Sequence, residues 1–225
     1  MGWKRALASR VPHDLLDSFH AAYWARHKTD YLRAHAGPSL DLIDPDNDRR
    51  DFYRHLCDYF VHEPVTFMEF GVFEGESLIE WAHLLCNPET RILGFDTFEG
   101  LPEAWKHWQP GHLSTQGRLP TIGDDRAMLF AGLFQETLND ALAHTQAENQ
   151  LILHIDSDLH SAALYVLSRM DSRLKTGDLV IFDQWGREHE YRAFQDYINA
   201  FRRNLEMVAA LNADYAKVAF RVADG

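Results

Sequence analysis

The sequence predicts an α/β protein. Its centre is a doubly wound, mostly parallel sheet of seven strands, with a C-terminal antiparallel hairpin and a helical N-terminal extension. Three observations predict this. From Val65 onward, short apolar runs alternate with helical patterns, the order of strand–helix units around a parallel sheet. Runs such as LILHI and DLVIF are continuously apolar rather than alternating, as strands covered on both faces should be. The chain has 225 residues, 46% of them hydrophobic, enough to bury one complete α/β core.

The elements follow in order. Residues 13–35 carry a helical pattern in Leu15, Leu16, Phe19, Ala22, Tyr23, Tyr31 and Leu32. Asp41 to Asp48 is a polar stretch containing Pro45 and reads as a loop. A second helix runs through Phe52, Leu56, Cys57, Tyr59 and Phe60 and is stopped by Pro64. The expected organisation is therefore a helical extension over 1–64, serving as a cap or an oligomer interface, and one α/β domain over 65–225. Within that domain strands are expected at 65–70, 91–96, 127–131, 150–156 and 178–183, and helices near 76–86, 134–146, 161–174 and 188–203. LEMVAAL and YAKVAFRVA, separated by the short turn at 212–214, read as the closing hairpin. One connection, residues 97–126, is long and rich in glycine and proline. It carries Trp105, His107, Trp108 and His112, and a loop of this length inside a compact domain is usually functional.

Composition narrows the partners. With 22 basic and 34 acidic residues the net charge is −12, and no Lys/Arg stripe stands out, which argues against nucleic acid. Cys57 and Cys86 have no metal-ligand spacing and read as reduced thiols of a cytoplasmic protein. No apolar run is long enough to span a bilayer, and MGWKRALASRVPHDLL has no signal-type apolar core. The thirteen histidines are scattered, with no paired metal spacing.

The most informative segment is EFGVFEGES, Glu69 to Ser77, where a predicted strand breaks at Gly71, turns through Gly75 and opens a helix. Such a corner brings backbone close to a ligand beside a helix N-terminus. Two glycines, with Glu69 ahead of them, depart from the three-glycine dinucleotide fingerprint and suit a ligand with a cationic group. Ligands of doubly wound sheets sit at the carboxyl ends of the strands, and here four expected strand ends carry Glu69, Asp96, Asp156 and Asp183. Asp96, 27 residues after Glu69, is placed to accept both hydroxyls of a ribose. Asp156, Asp158 and Asp183 with Gln184 form an oxygen-rich cluster suited to a hard divalent cation. Asp158 or Ser161 also suits the cap of the next helix. His160 is a candidate general base, His154 a core histidine, and His189 and Glu190 lie where a helix would start at the cleft. A nicotinamide oxidoreductase and a cofactor-binding domain without catalysis are the alternative readings.

Taken together, EFGVFEGES, GFDTFEGLPEAW, GLFQETL, HIDSDLHSA and GDLVIFDQW with HEYRAFQ appear in an order that resembles a known family. That family is the class I S-adenosylmethionine-dependent methyltransferases of the macrocin O-methyltransferase-like group, and the resemblance covers residues 65 to about 220. It implies a Rossmann-like sheet of order 3-2-1-4-5-7-6 with its last strand antiparallel. It implies that Glu69, Gly71 and Gly75, with Phe70, Val72 and Ser77, form the methionine side of the cofactor site. Asp96 and Thr97 would hold the ribose, Gly132, Leu133 and Phe134 the adenine, and Asp156 would close the cofactor wall. Asp156, Asp183 and Gln184 would match a Mg²⁺ site, with Asp156 or His160 taking the acceptor's proton. The chain carries Gln184 where the family often has a carboxylate, and His160 where it often has tyrosine. The implied activity is O-methylation of a hydroxylated small molecule such as a sugar on a natural product; residence in the cytoplasm and a homodimer through the N-terminal helices are expected from the sequence itself.

Overall fold

The computed structural model describes residues 12–36, 40–43, 49–60, 63–105, 107–185, 188–211 and 215–224. The chain divides into two compact units, Met1–Pro38 and Ser39–Gly225. In the first, helix α1 (His13–His35) carries Thr29 hydroxyl bonded back to the Ala25 carbonyl and an Ala36 amide closing the last turn on Leu32. Leu15, Phe19 and Tyr23, four residues apart, stand exposed along it.

The second unit is built on eight strands: β1 (Asp41–Ile43), β2 (Val65–Phe70), β3 (Arg91–Asp96), β4 (Ala127–Ala131), β5 (Gln150–Ile155), β6 (Leu179–Phe182), β7 (Leu205–Leu211) and β8 (Lys217–Val222). Their order in the sheet is β1-β7-β8-β6-β5-β2-β3-β4, with β8 antiparallel to both β6 and β7 and the other neighbours parallel. Seven of these strands reproduce the expected order. The eighth, β1, corrects the loop reading at Asp41: it pairs in parallel with Ala209–Leu211 and Ile43 packs on the core, but three residues running into a polar stretch are too short to carry a strand signal. Residues 44–48, the rest of that predicted loop, and the hairpin turn at 212–214 lie outside the described residues.

The helices of this unit are α2 (Arg49–Cys57), α3 (Glu76–Leu84), α4 (Phe134–Ala141), α5 (His160–Met170) and α6 (Glu188–Phe201). Helices α2, α4 and α5 each run on into a short 3₁₀ turn. The boundary expected at residue 64 is also corrected. Phe52, Tyr53 and Leu56 of α2 are completely buried in the same core as Phe67 and Trp81, and rings of Tyr53 and Phe67 lie 4.9 and 4.8 Å from Trp81. Burying such side chains stabilises the unit by about 1.5–3 kcal/mol each, so α2 belongs to the sheet rather than to an extension.

Strand β2 is buried along its whole length and lies at the centre, between β3 and β5. The carboxyl ends of β2, β3, β5 and β6 therefore open on one side of the sheet. Among the described residues, no helix is long and apolar enough to cross a membrane.

Candidate active site

A cavity of about 530 Å³ lies at those strand ends, lined on one flank by Gly71, Phe73, Asp96 and Phe134 and on the other by Asp156, Asp158, Ser161 and Gln184. The first flank is made mostly of backbone. Gly71 has φ +106°, and a Cβ there would fall 1.9 Å from the Asp156 carbonyl oxygen, so only glycine lets the ends of β2 and β5 meet. Gly75, in the left-handed conformation, starts α3 and packs against Pro120 of the long loop. Asp96 Oδ2 accepts the Phe73 amide and Oδ1 the Phe98 amide, both at 2.8 Å. Each oxygen keeps a further acceptor position, so the carboxylate is held in one orientation and can still receive two hydroxyls. Phe134 meets Phe70 edge-on at 5.3 Å, beneath which Phe95 stacks between Phe70 and Phe130. This makes a flat apolar wall beside a polar anchor.

Of the residues expected at the cofactor, Gly71, Asp96, Thr97, Leu133, Phe134 and Asp156 line the cavity. Glu69, Phe70, Val72 and Ser77 do not: all four are buried under the corner, where their packing shapes it from behind. Gly75 and Gly132 also lie behind the wall, Gly132 donating its amide to the Asp96 carbonyl at 3.0 Å. Thr97 spends its hydroxyl on the Gly100 carbonyl at 2.7 Å, a turn contact.

The long loop is folded on itself. Leu101 accepts from Gly111 and donates to His112, Trp105 and Trp108 exchange backbone bonds, and Trp108 stacks on His112 at 3.5 Å. Trp105 is buried with Leu101 and Leu159, and its ring meets His189 at 6.2 Å. Ser161 donates to Glu103 Oε1 at 2.6 Å, joining the loop to α5 at the cavity edge.

The second flank is charged. Asp156 opens on the cavity and is enclosed by protein elsewhere; burial, and next the Asp183 charge, hold its carboxyl well above the usual carboxylate range. Gln184 Nε2 donates toward Asp156 Oδ1 at 3.5 Å. Asp158 lines the cavity with φ +59°, an uncommon conformation for a residue with a side chain. Behind them Asp183 is buried: Oδ1 accepts Tyr53 Oη at 3.0 Å and His154 Nε2 at 3.3 Å, and Oδ2 is paired with Lys217 Nζ. His154 Nδ1 lies 3.0 Å from Glu69 Oε1. Burial opposes charge on His154, but the bonds to Asp183 and Glu69 outweigh it and push the imidazole up to about 10, so it is cationic at neutral pH. Burial likewise pushes the Asp183 carboxyl up, while His154 and Lys217 prevail and hold it below the ordinary range.

Two sequence expectations are corrected here. His160 is not among the cavity's lining residues: its Nε2 is 2.9 Å from Asp196 Oδ2 of α6. The expected metal set also does not converge. Asp183 is outside the cavity lining with both oxygens engaged, and Gln184 presents an amide N–H rather than a carbonyl to Asp156. Among the described residues, no three His, Cys, Asp or Glu side chains are arranged to hold a metal ion.

Glu190 acts from behind the site. Completely buried, it accepts the Ser157 amide at 3.2 Å and the Gln184 amide at 2.9 Å, tying the ends of β5 and β6 together. His189 meets Trp105 rather than the cavity, and Arg187 of the same stretch lies outside the described residues. Phe73, Glu103, Leu113, Gln135 and Glu136 line the cavity and were missed by sequence reasoning. All but Leu113 stand within the motifs of the sequence, but only the fold reveals which residues of a turn face inward.

Residues 112–222 match the family model for macrocin O-methyltransferase. Among solved structures, the O-methyltransferase NovP aligns with a TM-score of 0.62 at 18% identity, over 78% of this chain and 80% of its own. The calicheamicin methyltransferase CalS11 aligns with a TM-score of 0.61 at 22% identity, over 96% and 87%. An O-methyltransferase from Bacillus cereus, solved in complex with SAH, aligns with a TM-score of 0.53 at 13% identity, over 90% and 91%. At these identities the structures establish a shared fold. None of the curated proteins matches the chain.

Proposed function

We propose that this chain, a class I S-adenosylmethionine-dependent methyltransferase of the macrocin O-methyltransferase-like group, methylates a hydroxyl oxygen of a neutral, sugar-like small molecule. The observation that carries this reading is one cavity with two unlike carboxylates. Asp96 is pinned by two backbone amides, and Asp156 is enclosed and pushed up. S-adenosylmethionine, when bound, supplies an activated methyl group on sulfur. The donor set fits it: Asp96 would take the ribose hydroxyls, Leu133 and Phe134 the adenine face, and the glycine corner the methionine side.

What remains for the protein is to hold the acceptor in line and receive its proton. Asp156 suits the second task, because a carboxylate held above its usual range is a stronger base than an exposed one. Asp158, beside it on the cavity wall, and the Glu103–Ser161 pair provide further acceptors for a polyhydroxylated substrate. No step is routed through a divalent cation, since the residues expected to bind one are otherwise engaged.

The cavity's charge supports a neutral acceptor. Its described lining holds Asp96, Glu103, Glu136, Asp156 and Asp158 and no lysine or arginine. A phosphorylated substrate would meet repulsion from these acids. CalS11 is described as a TDP-rhamnose 3'-O-methyltransferase, which supports a sugar hydroxyl as the acceptor type. The lining here favours a sugar without its nucleotide diphosphate. Self-association through the exposed Leu15–Phe19–Tyr23 stripe, and residence in the cytoplasm, belong to the same proposal. The test is methyl transfer from labelled S-adenosylmethionine to a panel of glycosides and matched sugar phosphates. Transfer to a neutral glycoside oxygen supports the reading; labelling of nitrogen acceptors or sugar phosphates only contradicts it.

A further inference from the structure

The charged group behind the acceptor flank has an arrangement that a divalent site would not have. Strand β8 runs antiparallel to β6, with Val218 opposite Phe182, so Lys217 enters beside Asp183 at the end where the acids gather. Its side chain is 14% exposed, and its Nζ pairs with Asp183 Oδ2 and lies 3.4 Å from the Asp183 carbonyl oxygen. The other Asp183 oxygen is held by Tyr53 and His154. Gln184, the third expected ligand, is neutral and turns an N–H to Asp156.

A magnesium ion requires near-octahedral oxygen ligands at about 2.0–2.1 Å. Of the three expected ligands, Asp183 is engaged at both oxygens, Gln184 is a hydrogen-bond donor, and Asp156 alone offers oxygen toward the cavity. A dication at this place would also stand against the Lys217 ammonium. The positive charge that a cation would bring is already present beside Asp183, on the Lys217 ammonium.

We propose that Lys217 holds the place of the divalent cation, so that the acceptor site of this chain works without a metal. The ammonium is a compact, strongly hydrated point charge, unlike a guanidinium, and a buried Asp183 can keep it in one position. Lys217 lines no part of the cavity and is a positioning residue: it acts through Asp183 on the neighbouring Gln184. The inference deepens the methyltransfer reading and rests on it.

The test uses Mn²⁺ as the probe, followed by its electron paramagnetic signal on the full chain, together with methyl transfer in the presence of a chelator. The wild type is expected to leave Mn²⁺ free at millimolar concentration and to keep its transfer rate within about twofold under EDTA. Tight Mn²⁺ binding, or loss of transfer in EDTA that Mg²⁺ restores, would overturn the proposal. Gln184→Asp alone should remain blind to Mn²⁺, because Lys217 still occupies Asp183. Lys217→Met combined with Gln184→Asp should gain at least about tenfold in Mn²⁺ affinity. Binding by the single variant, or none by a folded double variant, would count against Lys217 as the cation's substitute. The Mn²⁺ signal needs no acceptor. If it behaves as expected while no hydroxyl is ever methylated, the reaction reading has failed and the account of Lys217 has not.

Discussion

The two flanks of the cavity are made differently. The flank carrying Gly71, Phe73 and Asp96 is local: one turn after β2 and one after β3, joined by amide-to-carboxylate bonds 23 residues apart or fewer. The flank carrying Asp156 is assembled from afar, since Asp183 receives Tyr53 from 130 residues away and Lys217 from 34. A site made of backbone turns binds a constant ligand through shape. A site made of converging charges tunes the reactivity of a group, and one charge exchanged among distant elements changes its chemistry.

That contrast predicts separable losses. The largest expected effect is on the charged flank. Asp156→Asn should lower kcat by about 10²–10⁴-fold, as loss of a general base does, while calorimetric affinity for S-adenosylhomocysteine stays nearly constant. Parallel losses of rate and affinity would erase the distinction between the flanks. Gly71→Ala attacks the point where they touch. A side chain at φ +106° and 1.9 Å from the Asp156 carbonyl should cost about 2–4 kcal/mol of stability, measurable by denaturant unfolding. Asp96→Ala should weaken cofactor binding by about 1.5–3 kcal/mol, the value of hydrogen bonds to a charged group, without moving the pH profile of transfer.

Smaller effects come from pH. Transfer requires Asp156 unprotonated, and its carboxyl titrates above the usual range, so the rate should rise with pH through a midpoint higher than an ordinary aspartate gives. Lys217→Met removes a neighbouring positive charge and should move that midpoint higher still, whereas a purely structural lysine would lower the rate at all pH values alike. His154 tests the network through stability. Its folded value of about 10 lies above the ordinary 6.5, so its contribution is complete below about pH 6.5 and is lost as pH rises toward 10. Thermal unfolding from pH 7 to 10 should therefore decline more steeply for the wild type than for His154→Gln, which carries no charge to lose.

The same contrast explains what the sequence made legible. The strands and the corner at Gly71 are written in local patterns: continuous apolar runs, paired glycines and an acid at a strand end; the strand order came from the family resemblance. Asp96 was readable because its partners are near it in the chain. Strand β1 was not, because it is three residues long, lies at the sheet edge and runs into a polar stretch containing Pro45. The α2 helix read as an extension because nothing local says that Phe52 and Tyr53 will pack under Trp81. His160 and Asp183 were misjudged for one physical reason. Each looked available in its own motif, and each is claimed by a partner on another element, Asp196 for the first and Lys217 with Tyr53 for the second. Glu190 was legible in position, at a helix start beside the cleft, although its part in clamping Ser157 and Gln184 needed the fold.

The central claim is that Asp96 anchors the cofactor at one end of this cavity while Asp156 faces the acceptor at the other. A crystal structure of the chain with S-adenosylhomocysteine tests it most directly. The account predicts both ribose hydroxyls on the Asp96 carboxylate, the adenine against Leu133 and Phe134, and the sulfur directed toward Asp156. A ligand bound with its ribose away from Asp96, or with its sulfur facing away from Asp156, would contradict it.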